Sequence, residues 1–394
     1  MSEPKGKRLV VCCDGTWNFA DQRSPTNVTK VALAVGPTDA QGMEQRVFYH
    51  HGVGTHRWDR IRGGAFGMGL SRGVRDAYRF LVQNYDPGDE LFFFGFSRGA
   101  FTARSTVGLV RNAGILRREN IGLIDKAYAL YRSRKDTHRP RGRESILFRR
   151  AYSNEPRIRF VGVWDTVGAY GIPVGPSRFI HLVNKRWEFH DTDLSRIVHA
   201  AYQALAIDEK RAPFRASLWT VQADPSGPQE VEQVWFSGVH SDVGGGYDDH
   251  GLSDIALLWM VDRAARNGLA FREGAFVHEP RPEKEPDPEN AVRIDTRVMP
   301  DPHGQLHNSR SGFYRLMKPC ERSPEISETT RENVSPTVVQ RHLRDSTYAP
   351  ANLIDYIDDV QSRLCGSDRA SPYPNSNGSG ITESTASATN TADR

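Results

Sequence analysis

Leu91-Phe92-Phe93-Phe94-Gly95-Phe96-Ser97-Arg98-Gly99-Ala100 is the stretch from which the rest of the chain is read. Four apolar residues run into Gly95-Phe96-Ser97-Arg98-Gly99, and a small-residue run continues through Ala103. The pattern predicts a buried strand, a sharp turn with a serine at its apex, and a helix. Glycines flank the serine because so tight a turn leaves no room for side chains on either side. The turn would lift the serine hydroxyl above the sheet and aim the N–H groups of the new helix at an oxyanion formed there. A five-residue pattern recurs by chance, and the strand before it and helix after it make this one specific. A serine with no chemistry to do would simply cap the helix.

Working outward, Arg8 to Cys13 reads as a strand ending in the polar turn Asp14-Gly15-Thr16-Trp17-Asn18. A helix is expected over Asn27 to Val35 and a strand over Val47 to His51. The glycine-rich loop that follows, Gly52 to Gly69, lacks the lysine-serine pair of a phosphate-binding loop. Ser71 opens a helix with Val74, Ala77, Tyr78, Leu81 and Val82 on one face. Alternating strands and helices predict an α/β fold, with a mostly parallel central sheet covered by helices on both faces.

Downstream of the turn, helices are expected over Arg104 to Leu116 and Ile121 to Tyr131. Arg132 to Arg150 carries eight Lys or Arg and reads as a solvated, mobile loop, with contact to anionic lipid headgroups as the other option. Arg157 to Trp164 is a strand ending in Asp165. Pro173 to Asp193 holds Phe179, Ile180, Leu182, Trp187 and Phe189, either a mouth for a greasy substrate or a second core layer. Leu194 to Ala206 reads as a helix, and Val231 to Phe236 as a strand before Gly238 to Tyr247. Ser253 and Asp254 are expected to cap a helix over Ile255 to Ala265. These readings give a catalytic domain over 1–279 with insertions at about 119–155 and 171–193. A C-terminal elaboration, 280–365, would pack on it, ending in a helix over Asn352 to Leu364. A polar tail, 366–394, would be disordered.

The chain has 394 residues, 38% hydrophobic and 25% charged, with a net charge of +4, too small to point to nucleic acid. Cys12, Cys13, Cys320 and Cys365 lack metal-ligand spacing and read as thiols of a reducing compartment. With no signal peptide and no membrane-length apolar run, a cytoplasmic location is expected, and export without a cleaved signal stays open. Asp242, Asp248, Asp249 and His250 lack the spacing of a calcium loop, and no metal is expected.

A serine needs a base within hydrogen-bond reach, and an imidazole base needs a carboxylate to fix its tautomer. Ser97, Asp165 and His240 each follow an apolar strand, in the order serine, acid, histidine, and would open on one edge of the sheet. Asp208 and Asp242 are rival acids, and the bland role of Asp208 is an ion pair with Lys210 or Arg211. The oxyanion would be held by the backbone N–H of Arg98 together with Gly15 or Thr16, or else by the loop at Gly52 to Gly54. Asp14 would either order its turn or react.

These stretches, with Val163-Trp164-Asp165-Thr166-Val167-Gly168, Ala206-Ile207-Asp208-Glu209 and Trp235-Phe236-Ser237-Gly238-Val239-His240, resemble a known family over about residues 7–265. It is the α/β-hydrolase-like group that includes the catalytic domain of type VI secretion phospholipase effectors. The resemblance implies an α/β-hydrolase fold, Ser97, Asp165 and His240 as a triad, and esterase chemistry on phospholipid acyl chains. No organic cofactor is needed. The expected partner is an ester or lipid substrate, with transient contact at a membrane surface. A hydrolase of non-lipid esters and a non-catalytic scaffold for interactions stay open beside it.

Overall fold

The computed structural model describes residues 6–15, 24–52, 63–167, 193–221, 229–278 and 296–367. Among these, the strands are β1 (Arg8–Cys13), β2 (Gln45–His50), β3 (Glu90–Phe96), β4 (Ile115–Leu116), β5 (Ser153–Asn154), β6 (Ile158–Trp164), β7 (Val198–Ala206), β8 (Glu230–Phe236) and β9 (Glu332–Val334). The helices are α1 (Asn27–Ala34), α2 (Gly63–Asn84), α3 (Arg98–Ala113), α4 (Ile124–Arg132), α5 (Arg143–Tyr152), α6 (His240–Gly244), α7 (Gly251–Arg266), α8 (Pro336–Arg344) and α9 (Ala351–Ser367).

Seven strands form one sheet in the order β2-β1-β3-β6-β7-β8-β9, and every neighbouring pair is parallel. β4 and β5 make a separate short ladder. One face of the sheet buries Leu9, Val11, Phe93 and Val161 against Val74 and Ala77 of α2 and Ala103 and Val107 of α3. The other buries Val10, Phe92, Phe94 and Phe160 against Val28 and Val31 of α1 and Leu257 and Met260 of α7. This is why β3 is a continuous apolar run, with Leu91 to Phe94 fully buried. Each of those phenylalanines contributes on the order of 2–3 kcal/mol of transfer free energy.

Four expectations change. Leu194 to Ala206 is not a helix. Its Ala-rich run forms β7, because Ala200, Tyr202 and Ala204 pack on one face of the sheet and Val198 and Ala201 on the other. Burial between two strands overrides local helix preference there. The basic run 132–150 is not a loop throughout. Within it α5 begins, and Ser145 and Phe148, three apart on one helix face, are buried. Arg143, Glu144, Arg149 and Arg150 surround these positions and mask that spacing in the sequence.

α2 begins at Gly63, well before Ser71. α7 begins at Gly251, so Asp254 lies inside its first turn, where it is fully buried against Lys30. The apolar segment 173–192 and the tail from residue 368 lie outside the described residues. The C-terminal part contributes β9 and a third cluster, in which Val338, Tyr348 and Leu353 cover Leu205, Ile207 and Trp235.

Candidate active site

The register of the sheet brings the candidate residues together. Phe96 pairs with Trp164, so Ser97 and Asp165 leave adjacent strands at the same level. Cys13 pairs with Gly95, which sets Asp14 beside the serine turn. Ala206 pairs with Phe236, and the chain beyond β8 turns back as α6, whose first residue is His240.

Ser97 has φ 57° and ψ −119°, and Asp165 has φ 39°. Only four non-glycine residues among those described have positive φ, and these are two of them. Such strain concentrates at sites where the surrounding structure fixes a side chain for use. The turn at Ser97 closes because Gly95 and Gly99 have no Cβ. One at Gly95 would meet Ala100 Cα at 2.6 Å, and one at Gly99 would meet Cys13 O at 2.0 Å.

The Ser97 hydroxyl makes no cap bond to α3. It lies 2.8 Å from His240 Nε2, and His240 Nδ1 lies 2.5 Å from Asp165 Oδ2. With the ring neutral, Nδ1–H donates to the carboxylate and Nε2 is left to accept from the hydroxyl. The imidazole sits between Phe96, with ring centroids 4.7 Å apart, and the edge of Phe214, at 4.9 Å. Burial pulls the His240 pKa below its ordinary value against the opposing effect of Asp165. Asp165 is fully buried, which alone would raise its pKa, but the guanidinium of Arg322 and the bond from His240 hold it well below the carboxylate range.

The other candidates take distinct places. Asp208 accepts from the Gly238 N–H at 2.7 Å and the Tyr348 hydroxyl at 2.9 Å, bracing the turn before His240. The expected ion pair with Lys210 or Arg211 is not made, since Lys210 meets Glu321 and Arg211 meets Glu209. Asp242 Oδ2 accepts from the Val239 N–H at 2.9 Å, and its Oδ1 lies 2.6 Å from His307 Nδ1. No three metal-ligating groups cluster among the described residues.

Asp14 is buried, and its Oδ2 accepts from Thr26 at 2.6 Å and from Thr29 and Tyr49 at 2.8 Å. Burial pushes its carboxyl up, and these donors hold it back. Gly15, expected as an oxyanion donor, gives its N–H to Asp14 Oδ1 at 2.6 Å, so in this arrangement that donor is spent inside the turn. Thr16 lies outside the described residues. Arg98 is the first residue of α3, where a backbone N–H falls outside the helix's own bonding ladder.

Sequence reading missed Arg322, Glu209 and Phe214. Glu209 Oε2 accepts from the His240 N–H at 3.3 Å and pairs with Arg211, while its Oε1 takes the Ser309 hydroxyl at 3.0 Å. Glu209 stands next to Asp208, and identifying β7 as a strand would have drawn attention to both. Arg322 lies in a stretch with no periodic signal at all.

The family model for the T6SS phospholipase effector Tle1-like catalytic domain matches residues 7–263, and the chain belongs to that family. The uncharacterized protein YEL023C of Saccharomyces cerevisiae is 27% identical over 237 residues, 55% of this chain and 33% of that protein. Among solved structures, an uncharacterized protein from Pseudomonas aeruginosa is similar at 18% identity and a TM-score of 0.43, over 68% of this chain and 46% of that one. The Tle1 effector bound to the VgrG spike of the type 6 secretion system is similar at 19% identity and a TM-score of 0.32, over 62% and 52%. The chain thus spans a third of the yeast relative's length and about half of each solved structure's.

Proposed function

We propose that this Tle1-like domain is a serine ester hydrolase acting on acyl esters of lipids. The supporting observation is the continuous chain from Ser97 Oγ through both nitrogens of His240 to Asp165, mounted on two positive-φ turns. Ser97 attacks the ester carbonyl while His240 Nε2 takes its proton. Asp165 fixes the ring tautomer and stabilises the imidazolium. The tetrahedral oxyanion is held by the Arg98 N–H at the start of α3. His240 then returns the proton to the leaving alcohol, and water releases the acyl group by the same route. Family membership is what directs the substrate toward lipid esters.

The test is hydrolysis of p-nitrophenyl esters from acetyl to palmitoyl, and of phospholipid vesicles, by wild type and Ser97→Ala. Turnover that rises with chain length and vanishes in the variant is expected. A folded wild-type protein that turns over no ester and resists fluorophosphonate labelling would defeat the reading.

A further inference from the structure

Arg322 lies well beyond the family match at 7–263, yet it reaches the centre of the site. Its side chain is 5% exposed and that of Asp165 is fully buried. Nη1 donates to Asp165 Oδ1 at 2.5 Å and to the Ala206 carbonyl at 2.7 Å. Nη2 donates to Asp165 Oδ2 at 3.0 Å and to the Phe214 carbonyl. The fork thus matches both carboxylate oxygens and two backbone carbonyls, a geometry that an ammonium cannot reproduce. Its own backbone is held by Asn352 Nδ2, which donates to Arg322 O at 2.7 Å and to Ile207 O at 3.1 Å.

We propose that Arg322 is a positioning residue of the catalytic centre, acting through Asp165. It fixes the carboxylate in the plane that His240 needs and limits how much of its negative charge reaches the ring. The proposal rests on the hydrolase reading of Ser97, His240 and Asp165. Asp165 Oδ2 is shared between His240 Nδ1 and Arg322 Nη2, so imidazole and guanidinium draw on the same oxygen.

The other groups facing the ring leave Asp165 as its variable charge. Glu209, after β7, is compensated by Arg211 and Ser309. Asp242, on the ring's own helix, is turned to Val239 and His307. Phe96 and Phe214 are apolar, and Ser97 is a neutral hydroxyl. Replacing Arg322 with a neutral residue therefore leaves Asp165 uncompensated beside His240, which favours the imidazolium.

The experiment measures the pH profile of kcat/KM on a short p-nitrophenyl ester and the titration of the His240 ring by NMR. It compares wild type, Arg322→Gln and Arg322→Lys, with Arg322→Gln also made in an Asp165→Asn background. Arg322→Gln is expected to lower kcat about 10- to 100-fold with KM little changed, as for a misplaced catalytic group. The ring's midpoint should move to higher pH. Lys, a compact ammonium in place of a planar fork, should recover part of the rate and give an intermediate midpoint. In the Asp165→Asn background, Arg322→Gln should move the midpoint no further.

An unmoved midpoint in Arg322→Gln, or an equal shift in the Asp165→Asn background, overturns the proposal. Should Arg322→Gln fail to fold, Arg322→Lys decides, and a wild-type midpoint there also overturns it. The ring titration reads this coupling whether or not an ester is turned over, and fluorophosphonate labelling of Ser97 tests the hydrolase reading separately.

Discussion

Gly99→Ala adds one methyl group against the backbone beside the serine turn. The new Cβ would sit 2.0 Å from Cys13 O and 2.4 Å from Asp14 O, both backbone atoms that cannot rotate away. An ordinary contact needs 3.4 Å, so α3 and the end of β1 must separate by about 1.4 Å. Ser97 immediately precedes α3 and moves with it. Its hydroxyl is 2.8 Å from His240 Nε2, and a displacement of even ~1 Å takes that pair out of hydrogen-bond range. The expected loss is about 100-fold in kcat/KM. Overpacking should also cost about 1–3 kcal/mol of stability, seen as a Tm lowered by several degrees with secondary structure retained. The assay pairs ester turnover with thermal unfolding, and Gly122→Ala is the control, because nothing lies within 4 Å of its added Cβ. Wild-type turnover and Tm in Gly99→Ala would refute the reasoning.

Three further outcomes separate the roles around the site. Asp165→Asn should reduce kcat about 10⁴-fold, the scale set by losing the carboxylate behind a catalytic histidine. Asp208→Asn, which only braces Gly238 and Tyr348, should cost less than about tenfold, and equal losses would reopen the choice of acid. Lys30→Met strips the fully buried Asp254 of its ammonium partner and should cost about 3–5 kcal/mol in urea unfolding; a cost near zero would mean that His250 and the Met299 N–H suffice to hold the carboxylate. The base must be neutral to act, and burial lowers the His240 pKa from 6.5, so the neutral form persists to lower pH. Activity should therefore hold as pH falls past 6.5 and drop only below it, and a profile half lost above 6.5 contradicts this.

The parallel sheet was legible because β1 and β3 carry continuous buried apolar runs, and β6 and β8 end in the apolar stretches Phe160 to Trp164 and Val234 to Phe236. The ends of β3, β6 and β8 marked where Ser97, Asp165 and His240 stand, directly after the first two and four residues past the third. β7 was hidden because alanine suits a helix as well as a crowded strand, and only the neighbouring strands decide between them. That misreading also placed Asp208 after a helix. Phe148 was hidden between the exposed Leu147 and the pair Arg149-Arg150, inside a run dominated by charge. Arg322 was out of reach for a different reason. Its contacts to Asp165 span 157 residues of sequence, and nothing local requires an arginine there.

β9 is three residues long, yet among the described residues it is the strand that lies alongside β8 on the far side from β7. Glu332 also takes the indole N–H of Trp235 at 2.8 Å. A fragment trimmed to the family match would keep β8 and lose this cover, baring a straight row of backbone donors and acceptors beside Trp235, Leu205 and Ile207. Such an open margin recruits strands from other molecules. The smallest piece of this chain that stays monodisperse in solution therefore extends past β9 and α8, and the boundary of shared sequence is the wrong place to cut.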